Sequence, residues 1–323
     1  MAINFFDLIE SCRKQAPCEM EIRCDEPMAA HCSFKVGGAA DCWIRPSGDG
    51  FPAFAAALVG TARSEGVPFF FLGGGANILV ADAGIRGIVV DMGEWAGETG
   101  QRRQEGILEF RAGTSLDSAA EIAAGAGLCG LEFLAGMPGS IGGAVWMNAR
   151  CYGREIADVL HETEIIDFSS PLPGPMRKTA KKGEFGYKLS PFQSLDALIL
   201  SASFHLTPGA EEKIRAEMDS HRRDREAKGH YRCPSAGSVF KNNPAFGKPT
   251  GQIIDELGLR GLSIGGAQVA PWHGNIIVNS GGATASDIRA LIIEVAAKVK
   301  AATNFALAPE VLFVGDWQQP TQS

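Results

Sequence analysis

The apolar run Val67-Pro-Phe-Phe-Phe-Leu72 stops on three consecutive glycines, Gly73 to Gly75, followed by Ala76 and Asn77. The run reads as a buried strand that ends in a loop with almost no side-chain bulk. Glycines let backbone approach closely, and successive N–H groups there form an anion-binding nest. That chemistry suits a diphosphate, although the same residues also suit a tight structural turn. The loop lacks the Gly-Lys-Ser/Thr of a P-loop, and it is not a Gly-x-Gly-x-x-Gly opening a helix. A second concentration, Gly136-Met-Pro-Gly-Ser-Ile-Gly-Gly143, again offers many backbone donors, as a planar ring lying against backbone requires. The chain holds 40 glycines in 323 residues, against a usual share of about 7%. They cluster rather than repeat, which points to loops pressed against a ligand.

The remaining composition narrows the class. A chain of 323 residues suits two or three subdomains, and 45% hydrophobic with 21% charged residues is ordinary for a soluble globular protein. The net charge of −7, without a basic run, argues against nucleic acid as a partner. No stretch reaches the roughly 20 apolar residues of a membrane span. The start, Met1 to Glu10, reads as a short amphipathic helix and not as a signal peptide. The eight cysteines form no Cys-x-x-Cys pair and read as reduced thiols of a cytoplasmic protein. No His-Glu-x-x-His or similar set occurs, so no metal is expected, and His273 beside Trp272 reads as a satisfied loop histidine.

Along the chain, Phe34 with Val36 and Cys42 with Ile44 suggest strands flanking a Gly37-Gly38 turn. A helix is expected from Phe51 to Glu65, short strands at Ile78–Val80 and Ile88–Asp91, and a strand from Leu108 to Thr114. An alanine-rich helix follows from Leu116 to Ala126, then strands at Val159–Phe168 and Ala197–Leu206. The charged stretch Ala210–Lys228 reads as a helix with a solvated face. The last part reads as a compact α+β unit, with a short helix at Gln252–Leu257 and a strand at Asn275–Val278. Thr284 and Asp287 offer a capping box, and Ile288, Leu291, Ile292, Val295, Ala296 and Val299 fall at helical spacing as a core face. A buried strand, Val311–Val314, closes the chain. Between these elements lies Tyr231-Arg-Cys-Pro-Ser-Ala-Gly-Ser238-Val-Phe-Lys-Asn-Asn-Pro244, which reads as a polar loop held against something.

Six segments taken in order carry a resemblance. They are Ser33–Ala39, Leu72–Val80, Gly130–Ala144, Ser235–Asn242, Gly266–Val269 and Pro309–Val311. Together they resemble the UDP-N-acetylenolpyruvoylglucosamine reductases (MurB), in the shorter type II form, over about residues 28 to 315. The resemblance implies an α+β fold: an FAD-binding domain of the vanillyl-alcohol-oxidase (PCMH) type, over 1–208, and a smaller α+β substrate-binding domain, over 209–323. The C-terminal strand would return Glu310 to the flavin site.

It further implies FAD as cofactor and NADPH as reductant, with hydride passing to the enolpyruvyl group of a UDP-sugar in peptidoglycan precursor synthesis. Gly37 and Gly38, with Gly73, Gly74, Gly75, Ala76, Asn77 and Ile78, would hold the FAD pyrophosphate side. Gly136, Pro138, Gly139, Ser140, Gly142, Gly143 and Ala144 would lie along the flavin. Ser238 would donate the proton, and Glu310 would sit beside the substrate carboxylate as an acid. Tyr187, Lys241, Asn242 and Gln268 would bind substrate. A cytoplasmic monomer with no membrane or nucleic-acid partner is expected.

Departures from the family pattern are local. Lys188 stands where the family has arginine, keeping the charge but not the planar fork that fits a carboxylate. The ending Ala308-Pro-Glu-Val-Leu312 keeps only Glu310 of two family acids, and Arg150 replaces a usual glycine. Two alternatives stay open on sequence: another flavin oxidoreductase of this fold acting on a sugar acid or alcohol, and a UDP-sugar-binding flavoprotein impaired in catalysis.

Overall fold

The computed structural model describes residues 4–97, 99, 106–179 and 181–317. It divides the chain into two compact units, each built from separated segments. The first comprises the chain up to Arg23, Cys42–Gly74 and Gly87–Arg223; the second comprises Cys24–Asp41, Gly75–Arg86 and the chain from Asp224 onward.

The chain opens with α1 (Phe5–Gln15), β1 (Glu19–Pro27), β2 (Ala39–Ser47), α2 (Phe51–Ser64), β3 (Phe69–Leu72), β4 (Ile78–Val80) and β5 (Ile85–Asp91). Met1 to Ile3, part of the expected first helix, lie outside the described residues. Next come β6 (Ile107–Arg111), α3 (Leu116–Gly125), β7 (Leu128–Cys129), α4 (Ile141–Met147), β8 (Arg150–Cys151) and β9 (Arg154–Glu155). The middle adds β10 (Leu160–Asp167), β11 (Pro175–Lys178), β12 (Ala197–His205), β13 (Thr207–Pro208) and α5 (Glu211–Ala227). The remainder is β14 (Ser235–Ser238), α6 (Thr250–Glu256), β15 (Ser263–Ile264), β16 (Ala267–Val269), β17 (Ile276–Asn279), α7 (Ala285–Thr303) and β18 (Leu312–Val314). The expected α+β class is what the chain forms.

In the first unit, two four-stranded sheets run β1-β2-β5-β3 and β11-β10-β12-β6. β3 pairs parallel to β5, Phe69 opposite Ile88 and Leu72 opposite Asp91. Ile88, Val89 and Val90 are all fully buried, the continuous apolar run that a strand covered on both faces needs. α2 buries Phe51, Phe54, Ala55, Leu58, Val59 and Ala62 along one stripe, and Pro52 sits in its first turn where no N–H is missed. The buried Glu109 is satisfied by the Arg177 guanidinium at 2.7 Å and the Ser201 hydroxyl at 2.6 Å, as a carboxylate out of water requires. The charge run on α5 is not simply a solvated face: Arg215 and Arg222 reach acids of α3.

In the second unit, an antiparallel sheet runs β14-β17-β16-β15, and β4 forms a separate parallel ladder with β18. The expected capping box of α7 is present, with Asp287 N–H to Thr284 Oγ1 at 3.0 Å and the reciprocal bond at 3.0 Å. The helix also takes Asp82 at its start, which accepts from the N–H groups of Ala285 and Ser286. Its apolar stripe is buried at Ile288, Leu291, Ile292, Val295 and Val299, each worth about 1.5–3 kcal/mol, while Ala296, at the stripe's edge, is only half buried. Three expectations change. Phe34 and Val36 are buried but lie outside any strand, because the strand starts after the glycine pair, at Ala39. The stretch 231–244 contains a strand, β14, made possible by a register irregularity between Ser235 and Ser238 at Gly237, whose φ is +69°. β18 is half exposed at Leu312 and Phe313, since it belongs to a two-stranded ladder, while Val311 is buried.

Candidate active site

In the first unit the two glycine loops meet backbone to backbone. The Gly74 N–H donates to the buried Ser140 Oγ at 3.2 Å. A Cβ added at Gly74 would lie 2.7 Å from Gly139 Cα, and one at Gly73 would lie 2.6 Å from Ser140 Oγ. The Gly74 contact is against backbone and tolerates no side chain, and at Gly73 the Ser140 hydroxyl would have to move, so glycine here serves loop-to-loop packing. Gly142 is closed in the same way by Ala112, whereas Gly143 is exposed. The second loop is anchored by Leu116 N–H to Gly139 O, Ile141 N–H to Thr114 O and Gly142 N–H to Ala112 O, and it runs into α4 at Ile141, with Ala144 in that helix. The result is a bare, rigid backbone edge of the kind an FAD diphosphate and ring need, and these residues fit that group.

The chain passes to the second unit at Gly75. Gly75 (φ +60°) presses on His31 O, Ser33 N–H donates to Gly75 O, and Ser33 Oγ donates to Ala76 O. Gly38 N–H donates to Ala81 O at 2.9 Å, and Gly37 packs on Val80 beyond Ile78 and Leu79. Two of the recognised segments, Ser33–Ala39 and Gly75–Val80, are thus one joint.

Tyr187 and Lys188 belong to the first unit. They form the tip of a two-residue turn closed by reciprocal hydrogen bonds of Gly186 and Leu189. Lys188 is left-handed (φ +57°), an uncommon state for a residue with a Cβ. The buried Asn148, itself at φ +46°, donates to Gly186 O at 2.9 Å and accepts from Ala157 N–H. Gln193 donates to Lys188 O at 3.1 Å and to Trp146 O at 2.9 Å. The turn is therefore fixed to the C-terminal end of α4, the helix that starts at the second glycine loop. The Arg150 guanidinium lies 5.9 Å from the Tyr187 ring centre.

In the second unit, Ser238 ends β14 and is half buried. The next residues pair with the Glu310 segment: Glu310 N–H donates to Val239 O at 2.7 Å and Lys241 N–H to Ala308 O at 2.9 Å. Glu310 is buried. Asn77 Nδ2 donates to Glu310 O at 3.1 Å, which joins the glycine segment to the same strand pair. Asn275, buried, holds Phe240 through both backbone groups. Asn242 Oδ1 accepts from Thr250 N–H at 2.9 Å at the start of α6. Gln268 sits on β16 opposite Val278 and donates to Ser263 Oγ at 3.1 Å. The backbone segments that carry Ser238, Lys241 and Glu310 are paired; Gln268 stands two strands from Ser238 in the sheet.

Asn148, Gln193 and Asn275 were missed from sequence. The available signal was a polar side chain inside an apolar or glycine-rich run, as in Trp-Met-Asn148. His273 is satisfied, its Nδ1 accepting from Asn275 N–H at 3.1 Å. Its ring lies 6.3 Å from that of His230. Burial, then the charge of Arg225, pushes His230 down to about 4. Burial, then Arg260, lowers His273 as well. Among the described residues no group of three or more His, Cys, Asp or Glu side chains is placed to hold a metal ion, and no helix is long and apolar enough to cross a membrane.

Comparison with known proteins agrees with this layout. Residues 53–170 match the FAD binding domain family, and residues 229–314 match the UDP-N-acetylenolpyruvoylglucosamine reductase, C-terminal domain family. The chain is 41% identical to the UDP-N-acetylenolpyruvoylglucosamine reductase of Treponema pallidum (strain Nichols), covering 92% of this chain and 94% of the relative. It is 39% identical to that of Treponema denticola, covering 90% and 93%. The crystal structure of UDP-N-acetylenolpyruvylglucosamine reductase (MurB) from Thermus caldophilus superposes with a TM-score of 0.70 at 30% identity, covering 92% of this chain and 99% of that one. At this identity over nearly the whole length of both chains, the chain belongs to the UDP-N-acetylenolpyruvoylglucosamine reductase family.

Proposed function

We infer that the protein is an FAD-containing oxidoreductase that uses NADPH to reduce the enolpyruvyl group of UDP-N-acetylglucosamine enolpyruvate to UDP-N-acetylmuramate. The observation that carries the chemistry is the pairing of Glu310 N–H with Val239 O, which sets Glu310 beside the segment that begins at Ser238. Bound FAD supplies the hydride relay between NADPH and the substrate double bond.

The chain's own residues handle charge and protons. Hydride addition to an enol ether conjugated with a carboxylate pushes negative charge onto that carboxylate. Donors aimed at such charge are worth about 10²–10³ in rate each. Glu310 donates to the substrate carboxylate as an acid, and Lys188 supplies a positive charge for it. Ser238 delivers the proton to the carbanionic carbon. As a weak acid it depends on a fixed position, which the Asn275 and Glu310 pairings of the following residues provide. Tyr187, Lys241, Asn242 and Gln268 bind the UDP-sugar. Arg150, whose guanidinium lies 5.9 Å from the Tyr187 ring centre, adds a second positive charge beside that turn.

In this reading residues 1–208 serve FAD and 209–323 serve the substrate, and the enzyme works as a cytoplasmic monomer. The test is an anaerobic mixture of protein and NADPH followed by addition of UDP-N-acetylglucosamine enolpyruvate. Bleaching of the flavin band and its recovery on adding substrate are expected. Bleaching without recovery would transfer the protein to another acceptor.

A further inference from the structure

We propose that Asp117, held in place by Arg222, positions the Gly136–Gly143 loop for the flavin. The proposal rests on that loop being the flavin's, as inferred above. Asp117 lies in the first turn of α3, and its Oδ1 accepts the Gly136 N–H at 2.7 Å. Gly136 has φ +68°, so this bond fixes the orientation of a peptide that only glycine adopts easily. Three residues on, Gly139 O accepts from Leu116 N–H, the neighbour of Asp117. The loop therefore hangs on one helical turn at two points, and Gly139 is the residue against which Gly74 packs.

Arg222, on α5, donates to the same Oδ1 through Nη2 at 2.8 Å and Nε at 3.2 Å. Its Nη2 also reaches Glu121 Oε1 at 2.6 Å. The guanidinium fixes the carboxylate and offsets a negative charge that would otherwise stand bare on a loop built for an anionic cofactor. Burial alone would raise the Asp117 carboxyl, but the Gly136 N–H and Arg222 outweigh it and hold it below its usual range. The Leu116, Ile141 and Gly142 anchors run backbone to backbone, so truncating a side chain does not remove them. Asp117 is the anchor on α3 that depends on a side chain, and it acts through the loop as a positioning residue.

The test titrates FAD into flavin-free protein while following flavin fluorescence, with thermal unfolding of each flavin-free form alongside. Losing a charge-assisted bond, Asp117→Ala is expected to weaken FAD binding by about tenfold or more. Asp117→Asn, whose amide oxygen still accepts from Gly136, recovers most of that loss. Arg222→Ala, a half-exposed site that leaves the fold intact, weakens binding by less. Arg215→Ala, which touches Glu121 but not Asp117, leaves FAD affinity unchanged. Unaltered FAD affinity in both Asp117→Ala and Arg222→Ala would overturn the proposal, as would losses that track the fall in unfolding temperature. A wild-type protein that binds no FAD would overturn the flavin reading itself.

Discussion

Asn77 and Glu310, 233 positions apart, are joined through the Asn77 amide, which donates to the Glu310 carbonyl at 3.1 Å. The Asn77 carbonyl in turn takes the Leu312 N–H at 3.0 Å. Asn77→Ala removes the side-chain bond at a net cost of about 1 kcal/mol of stability. Its larger effect falls on the placement of the Glu310 carboxyl, and turnover drops by about ten- to a hundredfold. Asn77→Asp is worse, because it sets acceptor against acceptor. Steady-state kinetics with unfolding temperatures decide; full turnover in Asn77→Asp would sever the proposed link.

Ser238→Ala separates the two half-reactions. Reduction of the bound flavin by NADPH proceeds at the normal rate, while substrate-driven reoxidation slows by about 10²–10⁴, the usual worth of a positioned proton donor. Stopped-flow absorbance measures both. Equal rates in the second half-reaction would remove Ser238 from the role of acid.

Lys188 joins the amine proposed to act in the site to a left-handed backbone, and substitutions split the two. Lys188→Gly relieves about 1 kcal/mol of backbone strain that Lys188→Ala retains, so the glycine variant unfolds at the higher temperature. Both lose activity if the amine matters. Lys188→Arg restores the planar fork and raises the rate. A rate in Lys188→Arg at or below that of the parent would show that the lysine is not a compromise.

His230 gives a signed pH effect. Its folded-state value of about 4 lies below the ordinary value of about 6.5, so the unfolded chain binds more protons in between. The contribution of the neutral ring is whole above about pH 6.5 and is lost as pH falls toward 4. Arg225, Lys228 and His273 all oppose its charge. Unfolding temperature measured from pH 7 to 4 should fall less steeply for His230→Asn, and an identical slope would assign the acid sensitivity elsewhere.

The parts legible in sequence were those written in a short period or in glycine. The Thr284–Asp287 box and most of the α7 stripe stand where the residues put them, and the strand expected over Val67–Leu72 forms at Phe69–Leu72 and runs into Gly73. The β14 strand was hidden because a single left-handed glycine, Gly237, lets a polar, proline-flanked run pair with β17. Arg222 looked like one of many charges on α5, since its counter-ion Asp117 lies 105 positions away. Asn148 and Asn275 escaped for a related reason: an asparagine buried to hold a distant carbonyl has the same letter as one in a surface turn. A motif is visible in the letters of one segment; the distant residues that hold that segment still are not.

The ladder of Leu312 with Ile78 and Val314 with Val80 has a consequence for synthesis on the ribosome. β4 is made early, but it waits for more than two hundred further residues before its parallel neighbour exists. Glu310 arrives with that same late strand. A nascent chain thus carries its glycine loops long before it carries Glu310, the proposed acid, and a copy interrupted near the end leaves β4 as an open edge. Such copies should be both inactive and prone to pair with one another, which makes the last strand a checkpoint on completeness.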